Sequence, residues 1–370
     1  MLEITQRICG MNKNESTCGH KSTPYLIEFL YEHFFGSQGA SRWHDQTSEG
    51  LADKGNWLNK VETIYEPKVV RLPRALSTIE RSRELCQAIQ AGAIDKLVSF
   101  QDRHKFIVIV GAPRSGGSYL TKVLFSALGK DVNKVSATIA HDGFPELAPF
   151  FMAKGFNVHT IMAQRMGEYL AMVELYFEKS APRGSRVIVP KKASKAAYQG
   201  AFLNSVLGNA TEYIVTVRHP IPSCVSTYEK SGGLPEHGKF ATRSAIEIWA
   251  ARDYLFTAGD GEAAGLLNKD YFDVYLRFWE QYHYSLALSG LSANKNWTVV
   301  PYTETAMMEA ARGINERFNA GEHAERFVAF DKRSRHPEWH EAAERAVERV
   351  RDVWASVGLA FPFEEIMQSW

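Results

Sequence analysis

No run in this chain approaches the ~18 consecutive apolar residues of a membrane-spanning helix, so nothing in it is expected to span a bilayer. Its opening segment, MLEITQRICGMNKNES, carries an acidic residue and lacks the apolar centre of a signal peptide. Net charge is scarce as well: 43 Lys and Arg against 42 Asp and Glu leave +1. That balance gives no bulk attraction to nucleic acid or membrane, so neither is an expected partner and any anion site must be local. Cysteines are few, namely Cys9, Cys18, Cys86 and Cys224 in 370 residues. Such usage points to free thiols in a reducing compartment, and a cytoplasmic location is the expectation. Cys9, Cys18 and His20 stand close together without the paired spacing of zinc ligands, so no metal site is expected there. Internal repeats and low-complexity runs are also missing.

What is there is a chain that is 45% hydrophobic and long enough for one large domain or two. Its most informative stretch is FIVIVGAPRSGGSYL, Phe106 to Leu120. Phe106 to Val110 is an unbroken, largely β-branched apolar run, the pattern of a strand buried on both faces of a parallel sheet. A glycine-rich turn follows, and from Ser118 to Leu128 apolar residues recur at helical spacing. Strand, turn and helix start form an anion cradle, because loop N–H groups and the helix dipole converge on one point. The Walker pattern G-x-x-x-x-G-K-[ST] is met at Gly111, Gly116 and Ser118, but Gly117 stands where its lysine belongs. The loop's cation is instead Arg114. Losing that lysine argues against an ATPase or GTPase.

Around this centre, helices alternate with apolar runs. Residues 1–100 read as a mostly helical extension, with Tyr25 to Phe35 and Ala75 to Phe100 as helices and Gly36 to Gly50 as a polar loop. Met162 to Glu178 is a helix, Arg186 to Pro190 a second strand, Ala196 to Leu207 a helix and Glu212 to Val217 a third strand. Helix resumes from Ile221 to about Lys230. Further helices are expected over Ala245 to Phe256, Tyr271 to Leu288, Glu304 to Phe318 and Glu338 to Val357, with a late strand at Trp297 to Tyr302. The alternation indicates a three-layer α/β sandwich around a central parallel sheet, residues 101–370, preceded by the helical extension.

The third strand ends in VRHPIPSCVSTYEK, Val217 to Lys230. Arg218 leaves the carboxyl end of a strand, where ligands of open α/β sheets bind, and Ser226 on the next helix can turn its hydroxyl to the same side. A guanidinium forks onto phosphate oxygens and a hydroxyl adds one directed hydrogen bond. A P-loop kinase would carry a Mg²⁺-binding Asp at such a strand end, and this one carries Arg218.

PRSGGS resembles the 5′-phosphosulfate loop P-[KR]-S-G-T-[ST] of the sulfotransferase family, departing at Gly117 for the usual threonine. Arg218, Pro220 and Ser226 match that family's R-x-P-x-x-x-x-x-S element, which grips the donor's 3′-phosphate. The resemblance covers roughly Phe106 to Tyr302. It implies 3′-phosphoadenosine 5′-phosphosulfate as donor and adenosine 3′,5′-bisphosphate as product, bound by Gly111, Arg114, Ser115, Gly116, Gly117, Ser118, Tyr119, Arg218, Ser226 and Tyr302. Tyr302 resembles the tyrosine near the adenine. Lys191 resembles the lysine of the K-T-[HP] element, which contacts the transferring group. Lys332-Arg-Ser-Arg335 compares loosely with a basic segment that completes the 3′-phosphate site.

Sulfuryl transfer proceeds in line through a loose transition state, so positioning and charge stabilisation supply most of the catalysis. Arg114 and Lys191 would neutralise the developing charge, and since both are side chains no metal is required. Ala193 stands where cytosolic members of the family have a histidine base. Other branches of the family take a carboxylate base from the segment after the loop helix, which here offers His141, Asp142 and Glu146, and the His141–Asp142 pair is the expected base. The expected acceptor is a hydroxyl or amine of a small molecule or carbohydrate, and a homodimer stays open. The competing classes are a nucleotide or small-molecule kinase and a non-catalytic nucleotide-binding protein.

Overall fold

Phe106–Val110 is 0–1% exposed, and it lies in a four-stranded, all-parallel sheet. The strands are β1 (His104–Gly111), β2 (Val187–Lys192), β3 (Glu212–Val217) and β4 (Trp297–Pro301), in the order β2-β1-β3-β4. The computed structural model describes residues 21–36, 51–132, 135–140, 158–178, 180, 186–230, 271–321, 325–330, 332 and 335–368. The sheet is registered by Val108 opposite Tyr213 and Val110 opposite Val215, then by Val215 opposite Val299. Each strand is within a residue or two of its sequence-based bounds, because continuous β-branched runs have few alternatives to a doubly buried strand.

The chain divides into two compact units. The first comprises Met1–Lys105, Asn133–Leu147 and Phe151–Val189, the second Phe106–Val132, Ala148–Phe150 and Pro190–Trp370. The second unit starts at Phe106, and the first also takes in the helix Val158–Phe177.

In the first unit that helix packs along Pro73–Gln90, with Arg81 holding Glu174 through Nε at 2.9 Å and Nη2 at 3.1 Å. Pro24–Phe35 joins them through Glu168, a buried carboxylate that accepts from Thr23 N at 2.8 Å and from Thr23 Oγ1. Burial raises the Glu168 pKa, outweighing those two donors. The single helix expected over Ala75 to Phe100 is broken: Pro73–Gln90 ends before Gly92, and a 3₁₀ turn (Ile94–Leu97) leads into Val98–Arg103. Leu51–Val69 is helical with a π turn at Val61–Tyr65, an element the sequence did not announce. Its Tyr65 stacks on Tyr31 at 4.0 Å, a long-range contact invisible to local periodicity.

Cys224 is a buried free thiol, whereas Cys86 is disulfide-bonded, which corrects the expectation of four free thiols. Which sulfurs meet is set by Cα separation in space, and spacing along the chain carries no record of it. No helix among the described residues is long and apolar enough to cross a membrane.

In the second unit the loop helix Gly117–Ala127 packs on Glu304–Arg317, and Tyr271–Leu288 packs on both Pro220–Lys230 and His340–Ser356. Thr303 caps Glu304–Arg317, accepting from Ala306 N at 3.1 Å. The helix expected over Ala245 to Phe256 lies outside the described residues.

Candidate functional site

The strand order places a switch point between β1 and β3. From β1 the chain goes to β2 on one side, then returns to β3 on the other, so the connections after β1 and β3 diverge. A crevice at the carboxyl ends of two such strands is where open α/β sheets hold ligands. The glycine-rich loop follows β1 and Arg218 follows β3.

Gly111 ends β1 against β3. A Cβ there would lie 2.1 Å from Thr216 Oγ1 and 2.5 Å from Ser115 Oγ. The glycine therefore serves the close approach of loop and strand. Ser115 is 2% exposed, donates to Ala112 O at 2.7 Å and meets Thr216 Oγ1 at 2.8 Å. It tethers the loop to β3 from beneath. Gly116 has φ +92°, and a Cβ on it would sit 2.7 Å from Met307 Cε. The helix Gly117–Ala127 starts there with no side-chain cap, so its first N–H groups face the mouth of the loop.

Arg114 adopts φ +68°, an uncommon left-handed conformation for a residue with a side chain. Two bonds hold it: Arg218 Nη1 donates to Arg114 O at 3.0 Å, and Arg114 Nε donates to Ser226 Oγ at 3.0 Å. The expected site residues Arg114, Arg218 and Ser226 thus form one cluster. Arg114 is exposed, while Arg218 and Ser226 are 4% and 8% exposed. The Arg218 guanidinium lies 3.9 Å from the centre of the Tyr302 ring, and Trp279 Nε1 donates to Arg218 O at 3.0 Å. Tyr302 N in turn donates to Val217 O at 2.7 Å, which extends the β3–β4 pairing by one residue.

Tyr302 contacts the Phe327 ring edge to face at 5.0 Å, and Phe327 also lies 5.0 Å from Tyr119. The Tyr119 hydroxyl donates to Met308 Sδ at 3.5 Å, and burial followed by the Glu325 charge raises its pKa. Phe327, Met307 and Trp279 were not foreseen as parts of this neighbourhood. Each comes from a distant segment, and an isolated aromatic or methionine carries no signal of its tertiary partners. Thr216, also missed, is the penultimate residue of EYIVTV, where its hydroxyl among apolar residues was the available clue.

The two lysines that end β2 part company. Lys191 is 0% exposed, on the strand face shared by the buried Val187 and Val189. Lys192 takes the other face and donates from Nζ to Ser118 Oγ at 3.1 Å, at the start of the loop helix. Ala193 is buried, its N–H on Ile109 O at 2.9 Å. In the basic segment near the C-terminus the Lys332 carbonyl accepts from Arg335 N at 3.0 Å. His141, Asp142 and Glu146, along with Cys9, Cys18 and His20, lie outside the described residues.

Comparison of the chain with protein-family models, with curated proteins and with solved structures gives no match.

Proposed function

We propose that this protein transfers a sulfuryl group from 3′-phosphoadenosine 5′-phosphosulfate to a hydroxyl or amine of a small-molecule or carbohydrate acceptor. The observation that supports it most is the meeting of the PRSGGS loop with Arg218 and Ser226 at the β1–β3 switch point. Both elements resemble those of the sulfotransferase family, and they lie over a hundred positions apart, with 112 separating Arg114 from Ser226. The finer fold proposed is that family's three-layer sandwich with a P-loop-like phosphosulfate loop.

On this reading the uncapped helix start and loop N–H groups receive the 5′-phosphosulfate. Arg218 and Ser226 take the 3′-phosphate, the guanidinium by charge-assisted hydrogen bonds and the hydroxyl as one directed donor. Arg114 swings from Ser226 to the sulfuryl oxygens, where charge builds in the transition state. The His141–Asp142 pair accepts the acceptor's proton. Transfer breaks the bond between sulfur and the bridging oxygen and forms one from sulfur to the acceptor oxygen or nitrogen, releasing adenosine 3′,5′-bisphosphate.

Thermal-shift measurements test the donor half. Adenosine 3′,5′-bisphosphate without added metal is expected to stabilise the protein by roughly 2.7 kcal/mol at 100 times its dissociation constant. Equal stabilisation by 5′-AMP removes the 3′-phosphate site, and stabilisation by ATP with Mg²⁺ alone moves the assignment to a kinase.

A further inference from the structure

The helix Tyr271–Leu288 meets the loop cluster through Trp279, whose Nε1 donates to Arg218 O. By helical period Asp273, Arg277, Glu280, Gln281 and Tyr284 leave the other side of that helix. With Arg349 of His340–Ser356 they line a cavity of about 250 Å³. Gln281 is only 9% exposed, yet its side-chain amide makes no hydrogen bond to any described residue. Arg349 approaches Glu280 Oε1 with both Nε and Nη2 at 2.7 Å, and the Tyr284 hydroxyl donates to the same oxygen at 3.4 Å. Oε2 of this largely enclosed carboxylate accepts from no described residue. Polar groups so enclosed are costly without partners, and the cavity is the side from which a partner can reach them.

The arginines of the cavity balance Asp273 and Glu280, so an ion of either sign gains nothing from net charge there. Donors and acceptors are interspersed instead: guanidinium and amide donate, carboxylate and amide accept. Vicinal hydroxyls match such a surface, because each can donate to a carboxylate oxygen while accepting from an N–H. Leu276 and Tyr284 add apolar surface for the C–H groups of a ring. We propose that this cavity is a binding site for a neutral saccharide, with Gln281 and Glu280 Oε2 taking adjacent hydroxyls. The site shares no residue with the loop cluster, and the inference does not rest on the donor-binding reading.

Saturation-transfer difference NMR on the full chain tests the assignment, with glucose, N-acetylglucosamine and maltose as neutral probes and glycine and acetate as charged ones. Transfer to at least one sugar is expected, with an affinity read by titration. Gln281→Leu keeps the bulk of the side chain and removes the amide, and it should weaken that sugar roughly tenfold. Asp273→Ala changes an exposed position, should weaken binding in the same direction, and decides the matter if Gln281→Leu does not fold. Glu344→Gln, on an exposed residue of His340–Ser356 outside the cavity, should leave affinity unchanged. Transfer to none of the sugars overturns the inference, as does sugar affinity that survives the deciding variant. Binding of glycine or acetate without any sugar overturns the saccharide class. Displacement of the sugar by adenosine 3′,5′-bisphosphate would put it at the loop and overturn the placement.

Discussion

Arg114 Nε and Ser226 Oγ are 3.0 Å apart although 112 positions separate them in sequence. The arginine leaves a loop at the end of β1 and the serine sits two turns into the helix after β3. Parallel pairing of those strands brings their carboxyl ends side by side, so the bond is a direct consequence of sheet order. On the proposed reading Arg114 exchanges this contact for the sulfuryl oxygens, while the Ser226 hydroxyl, which only accepts from Arg114, keeps its own proton to donate to the 3′-phosphate.

That exchange gives the first prediction. In a double-mutant cycle of Arg114→Ala and Ser226→Ala, unfolding in urea should show a coupling of about 0.5–3 kcal/mol, as residues in contact do. Strict additivity means the pair does not persist in solution. For affinity toward adenosine 3′,5′-bisphosphate, Ser226→Ala should be the more damaging single change.

Arg218 is buried beneath Tyr302 and bonded to the Arg114 carbonyl, so charge alone cannot replace it. Arg218→Lys retains the charge but loses the planar fork and the ring contact. Donor affinity should fall by roughly tenfold or more, one charge-assisted hydrogen bond's worth. Titration of the lysine variant checks it, and unaltered affinity removes Arg218 from the site.

Gly111→Ala should destabilise the protein by about 1–3 kcal/mol, the usual cost of overpacking a tight position. The added methyl meets Thr216 Oγ1, Ser115 Oγ and, at 2.9 Å, the Thr216 carbonyl. Adding Thr216→Ala should recover only part of the loss, because the carbonyl stays. Denaturant melts of the single and double variants decide between full, partial and no recovery.

The base hypothesis predicts a pH profile. If His141 accepts the acceptor's proton, turnover should fall as pH drops through the histidine range, near 6.5 in the unperturbed side chain. His141→Ala should abolish that dependence and cost about 10²–10⁴-fold. A large loss in Asp142→Asn with His141 dispensable assigns the role to the carboxylate. Near-normal rates in both variants would turn attention to Glu146.

Glu168 provides a test of the first unit that is independent of activity. Burial raises its pKa in the folded state above the unfolded value, so the native state holds the proton more tightly. Its contribution to stability is complete below the unfolded pKa, near 4.3 for Glu, and is lost as pH rises through the folded value. Glu168→Gln keeps a carbonyl for Thr23 N and cannot ionise. The melting temperature of the wild type should therefore decline relative to the variant as pH rises over that window. Parallel curves would show that Glu168 is not desolvated.

Much of this molecule was legible before folding. Phe106–Val110, Glu212–Val217 and Trp297–Pro301 could be read as strands because a buried parallel strand is apolar along its whole length. The turn between β1 and its helix was legible from Gly116, which alone meets φ +92° cheaply, and the anion-cradle reading came from local composition. Arg218 and Ser226 were visible because their spacing matched a known element. Proximity was not legible. That Ser115 ties down to Thr216, that Arg114 rests on Ser226, that Tyr302 covers Arg218 and that Phe327 bridges Tyr302 and Tyr119 all depend on strand order and helix docking. Lys191 and Lys192 are the clearest case. They are chemically identical neighbours, and only the pairing of β2 into the sheet sends one into the enclosed face and the other to the loop, because a one-residue step along a strand reverses the side chain's direction.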